Sequence, residues 1–204
     1  MLDNANARRS VARFIDPMAR SLLRLKVTPD GISWFGCGAT ILISAGFLAQ
    51  GRFLIGAILF GVFGLIDLLD GTMARMLGTS GPWGAFLDST LDRISDSAVI
   101  CALIYFYGHT DVDNADLAVV AGIISLVMSL LTSYARAKAE SLDAKCTVGI
   151  AERAERNIII WIALVISGLF TDVTPYALAF LAIVSSITVV QRIIFVRKQL
   201  VSQA

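Results

Sequence analysis

Long apolar runs separated by short polar segments make up most of the 204-residue chain. A transmembrane helix needs about 20 consecutive, mostly apolar residues, and six segments come near that length. They are residues 32–49, 52–69, 89–108, 117–137, 157–171 and 175–195. The fifth is short and can extend N-terminally through the charged stretch AERAER. The pattern predicts an all-α integral membrane protein with six transmembrane helices.

The segment before the first apolar run has a different periodicity. Residues 7–25 carry apolar side chains at helical spacing, and arginines take much of the remaining surface. The apolar members are Val11, Phe14, Ile15, Met18, Leu22 and Leu25, and the basic ones are Arg8, Arg9, Arg13, Arg20 and Arg24. This pattern is typical of a basic amphipathic helix in the membrane interface. We expect a break at Asp16-Pro17, because a residue before proline disfavours helix. A short soluble helix packed on the loops is the alternative.

The composition agrees with a membrane class. The chain is 56% hydrophobic and 16% charged, whereas soluble domains are about 45–50% apolar and about 25% charged. The net charge of +1 gives no reason to expect a nucleic-acid partner, and the polar N-terminus does not resemble a cleavable signal peptide. We expect residues 1–204 to form one domain, with an interfacial helix at 7–25 and a six-helix bundle at 32–195.

The basic residues are distributed unequally among the loops. The N-terminal segment, residues 136–156 and the C-terminal tail hold most of them, whereas loop 109–116 has three acids and no Lys or Arg. Cytoplasmic loops are enriched in Lys and Arg. We therefore expect a protein of the cytoplasmic (inner) membrane with both termini in the cytoplasm, which requires an even number of spans.

Four aspartates interrupt the apolar pattern at the cytoplasmic ends of the second and third predicted spans. Asp67 and Asp70 are three residues apart and Asp88 and Asp92 four apart, so each pair shares one helix face. An uncompensated acid at mid-bilayer costs about 2.5–3.5 kcal/mol, and four neighbouring carboxylates repel one another. Divalent cations with a preference for oxygen, Mg²⁺ or Mn²⁺, remove both problems. Two ions about 3.5–4 Å apart would suit phosphoryl displacement.

Three alternative roles stay open for these acids. The carboxylates could pair with Arg75 and Arg93 and cap helix ends. A divalent-cation transporter also uses intramembrane acids, although it needs them spread through the membrane depth. In a non-catalytic membrane scaffold, unpaired acids would only be a cost. Asp96 continues the Asp88–Asp92 face by one turn, and we expect it to be a structural partner, for example of Arg93.

The acids, together with the small and basic residues between them, resemble the signature of the CDP-alcohol phosphotransferases (CDP-alcohol phosphatidyltransferases). Eight fixed positions match, in the pattern Asp67-x2-Asp70-Gly71-x2-Ala74-Arg75-x8-Gly84-x3-Asp88-x3-Asp92. The resemblance implies an enzyme with six spans, an N-terminal interfacial helix and a homodimeric assembly. It also implies CDP-diacylglycerol as the lipid substrate.

By the same resemblance, Asp67, Asp70 and Asp88 hold two metal ions, and Asp92 shares the second. The ions bridge the diphosphate of the CDP-linked lipid. Asp92 takes the proton from the acceptor hydroxyl, the alkoxide attacks the β-phosphorus, and CMP leaves. Such a transfer needs charge neutralisation and in-line positioning more than covalent chemistry.

The resemblance assigns further residues to CDP-diacylglycerol. Arg75 binds the diphosphate, and the small residues Gly71 and Ala74 let the nucleotide approach the helix. TPDGIS resembles the family's Thr-Pro-Asn/Asp element, where the acid or amide accepts from the cytosine amine; the residues carried over are Asp30, Gly31, Ile32 and Ser33. Simple capping of the first span by Asp30 and Ser33 is the alternative. The turn GTSGP offers backbone N–H groups to phosphate, at Gly81.

A second cluster on the same predicted side is basic and concerns the acceptor. Its members are Arg136, Lys138, Arg153, Arg156 and Arg192. Guanidinium groups match a phosphate monoester, although lipid headgroup contacts also account for such charges. The pattern SYxRAKAE…GIAERAERxII resembles the bacterial phosphatidylinositol-phosphate synthases of this family, which use myo-inositol 3-phosphate. Phosphatidylglycerophosphate synthases, which use glycerol 3-phosphate, stay open as the alternative.

Overall fold

The computed structural model describes residues 5–64, 67–79, 81–150 and 152–201, with the backbone alone for residues 5–14, 67 and 68. These residues form eight α-helices and one 3₁₀-helix, η1, and contain no β-strand. In chain order the elements are α1 (Ala5–Arg24), α2 (Pro29–Gly46), η1 (Leu48–Gln50), α3 (Phe53–Gly64), α4 (Asp67–Leu77), α5 (Pro82–Gly108), α6 (Ala115–Glu140), α7 (Arg153–Leu169) and α8 (Thr174–Val201).

Every predicted span overlaps a helix, but the helices differ in their suitability to cross a membrane. In the described chain, four segments are long and apolar enough: Pro29–Gln50, Phe53–Leu77, Ala115–Glu140 and Thr174–Val201. The helix α5 carries several charged residues in its first half, and α7 has only 17 residues, beginning at Arg153. The all-α architecture and the apolar helices of a membrane protein are confirmed. The count of six spans and the interfacial position of α1 stay predictions.

The helix α1 continues through Pro17, so the predicted break at Asp16-Pro17 is wrong. Proline removes one backbone hydrogen bond and disfavours a helix interior by about 3 kcal/mol. Packing on both sides of the proline compensates, because Ile15 and Ala19 are both buried in one apolar cluster.

The chain divides into two compact units, of which the first comprises Met1–Ile43 and Leu59–Ser95. Within it, α1 packs against α4 around an apolar core formed by Ile15, Ala19, Ile32, Leu69 and Met73. A second cluster joins α2 to α5 through Cys37, Leu87 and Leu91. In this unit, α2 therefore contacts both helices that carry the aspartates.

The second unit comprises Ser44–Ile58 and Asp96–Ala204. In it, α8 packs against α6 and α7, and small side chains recur at helical spacing along the α6–α8 contact. The buried small residues are Ala118, Ala121, Gly122, Ser125, Ser129 and Thr132 on α6, and Ala182, Ser185 and Thr188 on α8, where Leu178, Leu181 and Arg192 are buried as well. Small residues allow close approach of helix backbones. The expectation of a single domain over 1–204 stays a prediction.

Candidate functional site

The first acidic pair lies on α4, of which Asp67 is the first described residue. Asp70 follows one turn later and is buried, with 8% of its surface exposed. Its Oδ2 accepts a hydrogen bond from the hydroxyl of Ser33 at 2.5 Å, and its Oδ1 accepts from the backbone N–H of Gly71. A buried carboxylate needs such donors because its desolvation is otherwise uncompensated. The contact with Ser33 fixes the Asp70 carboxylate between α2 and α4.

The second acidic pair lies on α5, and its orientation follows from the apolar residues beside it. Leu87 and Leu91 pack against Cys37 of α2, and the Cys37 thiol lies 3.7 Å from the Leu91 carbonyl. Asp88 and Asp92 follow these leucines by one position each, and Asp88 is exposed whereas Asp92 is 8% exposed. Packing of the leucines on α2 therefore sets the direction of both carboxylates.

Ion pairing with a nearby arginine, one of the alternatives, is seen at Asp92. Arg93 Nη1 lies 3.6 Å from Asp92 Oδ2, and it also donates to the Ser89 carbonyl at 2.7 Å. Arg75 instead donates from Nη2 to the hydroxyl of Thr72 at 2.9 Å and is exposed. Both arginines therefore also bond to groups on their own helices.

The chemistry of the donor set fits a hard divalent cation. Asp70, Asp88 and Asp92 offer carboxylate oxygens from two helices, and Mg²⁺ and Mn²⁺ prefer oxygen ligands. Among the side chains that the structure describes, no group of three or more His, Cys, Asp or Glu is arranged as a metal site. The side chain of Asp67 is not among the described side chains, so this statement does not include its contacts.

The glycines of the motif have no packing role that the described residues reveal. A Cβ built on Gly71 would meet Arg75 Nη1 at 3.5 Å, an ordinary contact, and one built on Gly84 would meet nothing within 4 Å. By contrast, a Cβ on Gly168 would lie 2.5 Å from the backbone nitrogen of Leu54. A glycine inside a helix costs about 0.5–1 kcal/mol relative to alanine. At Gly71 and Gly84 no packing contact in the described chain offsets this cost.

The helix α4 ends directly before a glycine. Gly78 has a positive φ of 67°, and the N–H groups of Gly78 and Thr79 donate to the carbonyls of Arg75 and Ala74 at 3.2 and 3.0 Å. This is the hydrogen-bond pattern of a Schellman motif. Gly81 follows and is exposed. Its role in phosphate binding stays a prediction.

The TPDGIS element forms the first turn of α2, and its contacts are not those expected if Asp30 and Ser33 capped this helix. Thr28, not Asp30 or Ser33, is the cap, because its hydroxyl accepts from the Gly31 N–H at 3.1 Å. Ser33 donates to Asp70. Asp30 Oδ2 accepts a hydrogen bond from the indole N–H of Trp83 on α5 at 2.9 Å. The side chains of Asp30 and Ser33 are therefore directed to neighbouring helices, while Ile32 is buried in the apolar core.

In the second unit, Asp96 is bonded to α7. Arg153 Nε lies 3.3 and 3.4 Å from the two oxygens of Asp96, and the Asn157 amide donates to Oδ1 at 3.2 Å. The expectation that Asp96 partners Arg93 is therefore wrong. Arg153 and Asn157 are one turn apart on α7 and converge on the same carboxylate, whereas Arg93 is occupied by its own helix.

The remaining basic residues fall into buried and exposed groups. Arg156 and Arg192 are 6% and 4% exposed. Arg192 donates from Nη1 to the Thr132 carbonyl at 2.6 Å and from Nε to the Val148 carbonyl at 2.9 Å. Lys138 and Arg136 are exposed, and Arg136 pairs with Glu140 at 2.9 Å. Arg192 therefore connects α8 to α6 and to the loop before α7.

The Thr28 cap and the contact of Trp83 with Asp30 are among the contacts of this site that were not predicted from the sequence. The Thr28 cap has a local signal, since Thr-Pro at a helix start is a recognised pattern. Trp83 has none, because its partner Asp30 is 53 positions away in the chain. A lone tryptophan in an apolar protein is read as a packing or interface residue unless the fold shows its N–H partner.

Comparisons with known proteins agree with these observations. Residues 26–195 match the model of the CDP-alcohol phosphatidyltransferase family. The phosphatidylinositol phosphate synthase of Cutibacterium acnes is 40% identical over 197 residues, covering 92% of this chain and 94% of that protein. The phosphatidylinositol phosphate synthase of Streptomyces avermitilis is 36% identical over 204 residues, covering 96% of this chain and 83% of that protein.

The backbone is also similar to crystal structures of the phosphatidylinositol phosphate synthase of Mycobacterium tuberculosis. The structure with CDP-DAG bound has a TM-score of 0.85 and 37% identity, covering 91% of this chain and 94% of that one. The structure in complex with manganese and citrate has a TM-score of 0.84 and 36% identity, covering 89% of this chain and 88% of that one. With the signature intact on α4 and α5 and the family model matching most of its length, the chain belongs to the CDP-alcohol phosphatidyltransferase family and is a transferase.

Proposed function

We propose that the protein transfers the phosphatidyl group of CDP-diacylglycerol to a hydroxyl of myo-inositol 3-phosphate, giving phosphatidylinositol phosphate and CMP. The observation that carries this proposal is the complete acidic signature on α4 and α5, in a chain 40% identical over 197 residues to a phosphatidylinositol phosphate synthase. The crystal structure of a relative with CDP-DAG bound supports the choice of lipid substrate.

Two Mg²⁺ ions, or Mn²⁺ in their place, are proposed to be held by Asp67, Asp70, Asp88 and Asp92. When bound, such ions neutralise the charge of the diphosphate. The manganese in a relative's crystal structure supports a divalent metal. Ser33 contributes by donating to Asp70 Oδ2, because a hydrogen bond to one oxygen fixes the orientation in which the other oxygen meets a ligand.

Asp92 is proposed as the general base. It accepts the proton of the acceptor hydroxyl, the hydroxyl oxygen forms a bond to the β-phosphorus, and the bond from that phosphorus to the bridging oxygen breaks as CMP leaves. Burial of Asp92 at 8% exposure keeps water away from the carboxylate. Arg93, at 3.6 Å from Oδ2, limits the freedom of the side chain.

The nucleotide part of CDP-diacylglycerol is proposed to lie against the first turn of α2 and against α4. Asp30, Gly31, Ile32 and Ser33 contribute from α2; Gly71, Ala74, Arg75 and Gly81 contribute from α4 and the turn after it. A Cβ on Gly71 would meet the end of the flexible Arg75 side chain at 3.5 Å, and the absence of that Cβ supports a close approach of the ligand to this helix. Arg75 is exposed and carries a positive charge suited to the diphosphate.

The phosphate of the acceptor is proposed to bind the basic cluster of Arg136, Lys138, Arg153, Arg156 and Arg192. Burial of Arg156 and Arg192 supports fixed positions for both guanidinium groups, whereas arginines that only attract lipid headgroups stay exposed to solvent. Glycerol 3-phosphate offers the same phosphate monoester and is the alternative acceptor. The two acceptors differ in the alcohol that carries the phosphate, and the basic cluster binds the phosphate and not the alcohol.

The membrane arrangement is part of the same proposal. Six spans, an interfacial α1, both termini and the active site on the cytoplasmic side of the inner membrane, and a homodimer are proposed. The four described segments that are apolar and long enough to span support a polytopic protein.

An acceptor panel tests this function. Purified protein in mixed micelles receives CDP-diacylglycerol labelled in the lipid, Mg²⁺, and either inositol, inositol 3-phosphate, glycerol 3-phosphate or serine. We expect lipid product and CMP with inositol 3-phosphate, and loss of at least about 100-fold in kcat for Asp92→Asn. The matched control Asp113→Asn, in the exposed loop before α6, keeps full activity.

Other outcomes identify the alternatives. Product with glycerol 3-phosphate alone would assign the protein to the phosphatidylglycerophosphate reaction. Product with unphosphorylated inositol but not with its phosphate would refute the role of the basic cluster. Cation flux into liposomes in the absence of CDP-lipid and without CMP release would support a transporter instead.

A further inference from the structure

Trp83 and Asp30 form a contact between the first turns of α5 and α2. The indole N–H of Trp83 donates to Asp30 Oδ2 at 2.9 Å. The ring of Trp83 is 61% exposed, and it lies with its centroid 6.0 Å from the ring of Phe86. The tryptophan is therefore not held in place as a core residue. Its hydrogen bond to Asp30 is the specific interaction that it makes.

Asp30 lies on the same side of α2 as the contact with the acidic motif. Asp30 and Ser33 are three residues apart, so they share one helix face, and Ser33 donates to Asp70. The distance along the helix axis is about 4.5 Å. A nucleotide with its diphosphate at the acidic motif extends away from it through the ribose to the base. Asp30 lies one turn of α2 away from Ser33 and its contact with Asp70, and this is the position in which we place the base.

The chemistry of a carboxylate favours cytosine over uracil. Cytosine presents an amine at C4, a hydrogen-bond donor, whereas uracil presents a carbonyl oxygen there, an acceptor. A carboxylate accepts hydrogen bonds only, so it binds the amine and repels the carbonyl. The discrimination depends on the direction in which the free lone pairs of the carboxylate point. Without a fixed partner, an aspartate that is only half-buried rotates among several rotamers.

We propose that Trp83 is a positioning residue for base selection. Its indole N–H holds Asp30 Oδ2 so that the rest of the carboxylate is directed at the C4 amine of the cytosine base. This inference rests on the proposed function, since it requires a CDP-linked substrate. It adds to that function a residue outside the eight-position signature and a reason for selectivity toward cytidine nucleotides.

Binding of free nucleotides tests the proposal without turnover. Affinities for CMP and UMP are measured by calorimetry on the full-length protein in detergent with Mg²⁺ present. Trp83→Phe keeps the aromatic ring and removes the N–H donor. We expect it to lower the CMP affinity by about 3- to 10-fold, the size of one hydrogen bond, with little change for UMP. The matched control is Trp34→Phe, because Trp34 is similarly exposed at 59% and lies on α2.

A double-variant cycle separates positioning from packing. Asp30→Ala should lower the CMP affinity as well, and adding Trp83→Phe to it should have no further effect, because Trp83 acts through Asp30. In steady-state assays, Trp83→Phe should raise KM for CDP-diacylglycerol with kcat kept within about 2-fold. Additive losses in the double variant would overturn the proposal, as would an unchanged ratio of CMP to UMP affinity in Trp83→Phe.

The failures of the two proposals are distinguishable. If wild-type protein releases CMP from CDP-diacylglycerol but Trp83→Phe retains wild-type nucleotide selectivity, the role of Trp83 is wrong and the enzyme function stands. If wild-type protein neither binds CMP nor releases it, the proposed function itself is wrong.

Discussion

Replacement of Gly71 by alanine separates the structural from the functional requirement for this glycine. Gly71 lies inside α4, where glycine is less favourable than alanine by about 0.5–1 kcal/mol. The added Cβ would meet Arg75 Nη1 at 3.5 Å, an ordinary van der Waals contact with the end of a flexible side chain. If the fold alone decided, Gly71→Ala would be neutral or stabilising. We expect the unfolding midpoint in detergent to rise by up to about 4 °C.

Activity should change in the opposite direction. If the CDP-lipid lies against the backbone of α4, the new methyl group occupies space that the ligand needs. Overpacking by one methyl group costs about 1–3 kcal/mol, which corresponds to a loss of about 5- to 150-fold in kcat/KM. The assay is CMP release from CDP-diacylglycerol at saturating acceptor, with the thermal midpoint measured on the same preparation.

The control for Gly71→Ala is Gly38→Ala. Gly38 also lies inside a helix, and a Cβ built there meets nothing within 4 Å among the described residues. It should show a similar change in stability with unchanged activity. The reasoning would be refuted if Gly71→Ala kept full activity. It would also fail if the variant lost activity and thermal stability together, because that result indicates a folding role.

Three further predictions concern the metal site and the packing of the second unit. Ser33→Ala removes the donor to Asp70 Oδ2 and should raise the Mg²⁺ concentration for half-maximal activity by about 10-fold, whereas Ser33→Thr should leave it near the wild-type value; a Mg²⁺ titration of CMP release checks both. Gly168→Ala places a Cβ 2.5 Å from the nitrogen of Leu54, so it should destabilise the protein by about 1–3 kcal/mol, seen as a lower thermal midpoint; no change would contradict the close packing of α7 on α3. Chelation by EDTA should abolish CMP release and addition of Mg²⁺ or Mn²⁺ should restore it, whereas activity that survives EDTA would argue against the carboxylate metal site.

Local sequence patterns were sufficient for the helices and for the candidate metal site, and the resemblance of the eight-position signature to a known family supplied the reaction class. Apolar runs of about 20 residues and the spacing of Asp67, Asp70, Asp88 and Asp92 depend on helix periodicity alone. The N-terminal extension of α7 into the charged stretch, back to Arg153, is also confirmed. At Pro17 the local rule failed, because the packing of Ile15 and Ala19 outweighs the backbone preference of a single residue.

The partners of the polar side chains could not be derived in this way. Asp96 shares a helix with Arg93, so local spacing favoured that pair, yet Arg153 and Asn157 from α7 bind it instead. Two residues on the same helix can be close in sequence without their side chains meeting, because the helix sets the direction of each side chain. The Asp96 carboxylate is directed toward α7, so residues of that helix can approach it.

The sequence by itself determined that this chain is an apolar, all-helical protein with an acidic signature repeated at helical spacing, because those properties follow from composition and from periods of three and four residues. The tertiary structure decided which groups hold the carboxylates. The contacts of Ser33 with Asp70, Trp83 with Asp30 and Arg153 with Asp96 join residues 37, 53 and 57 positions apart. Such pairs form only when helices pack, since packing and not chain proximity brings their side chains within hydrogen-bond distance.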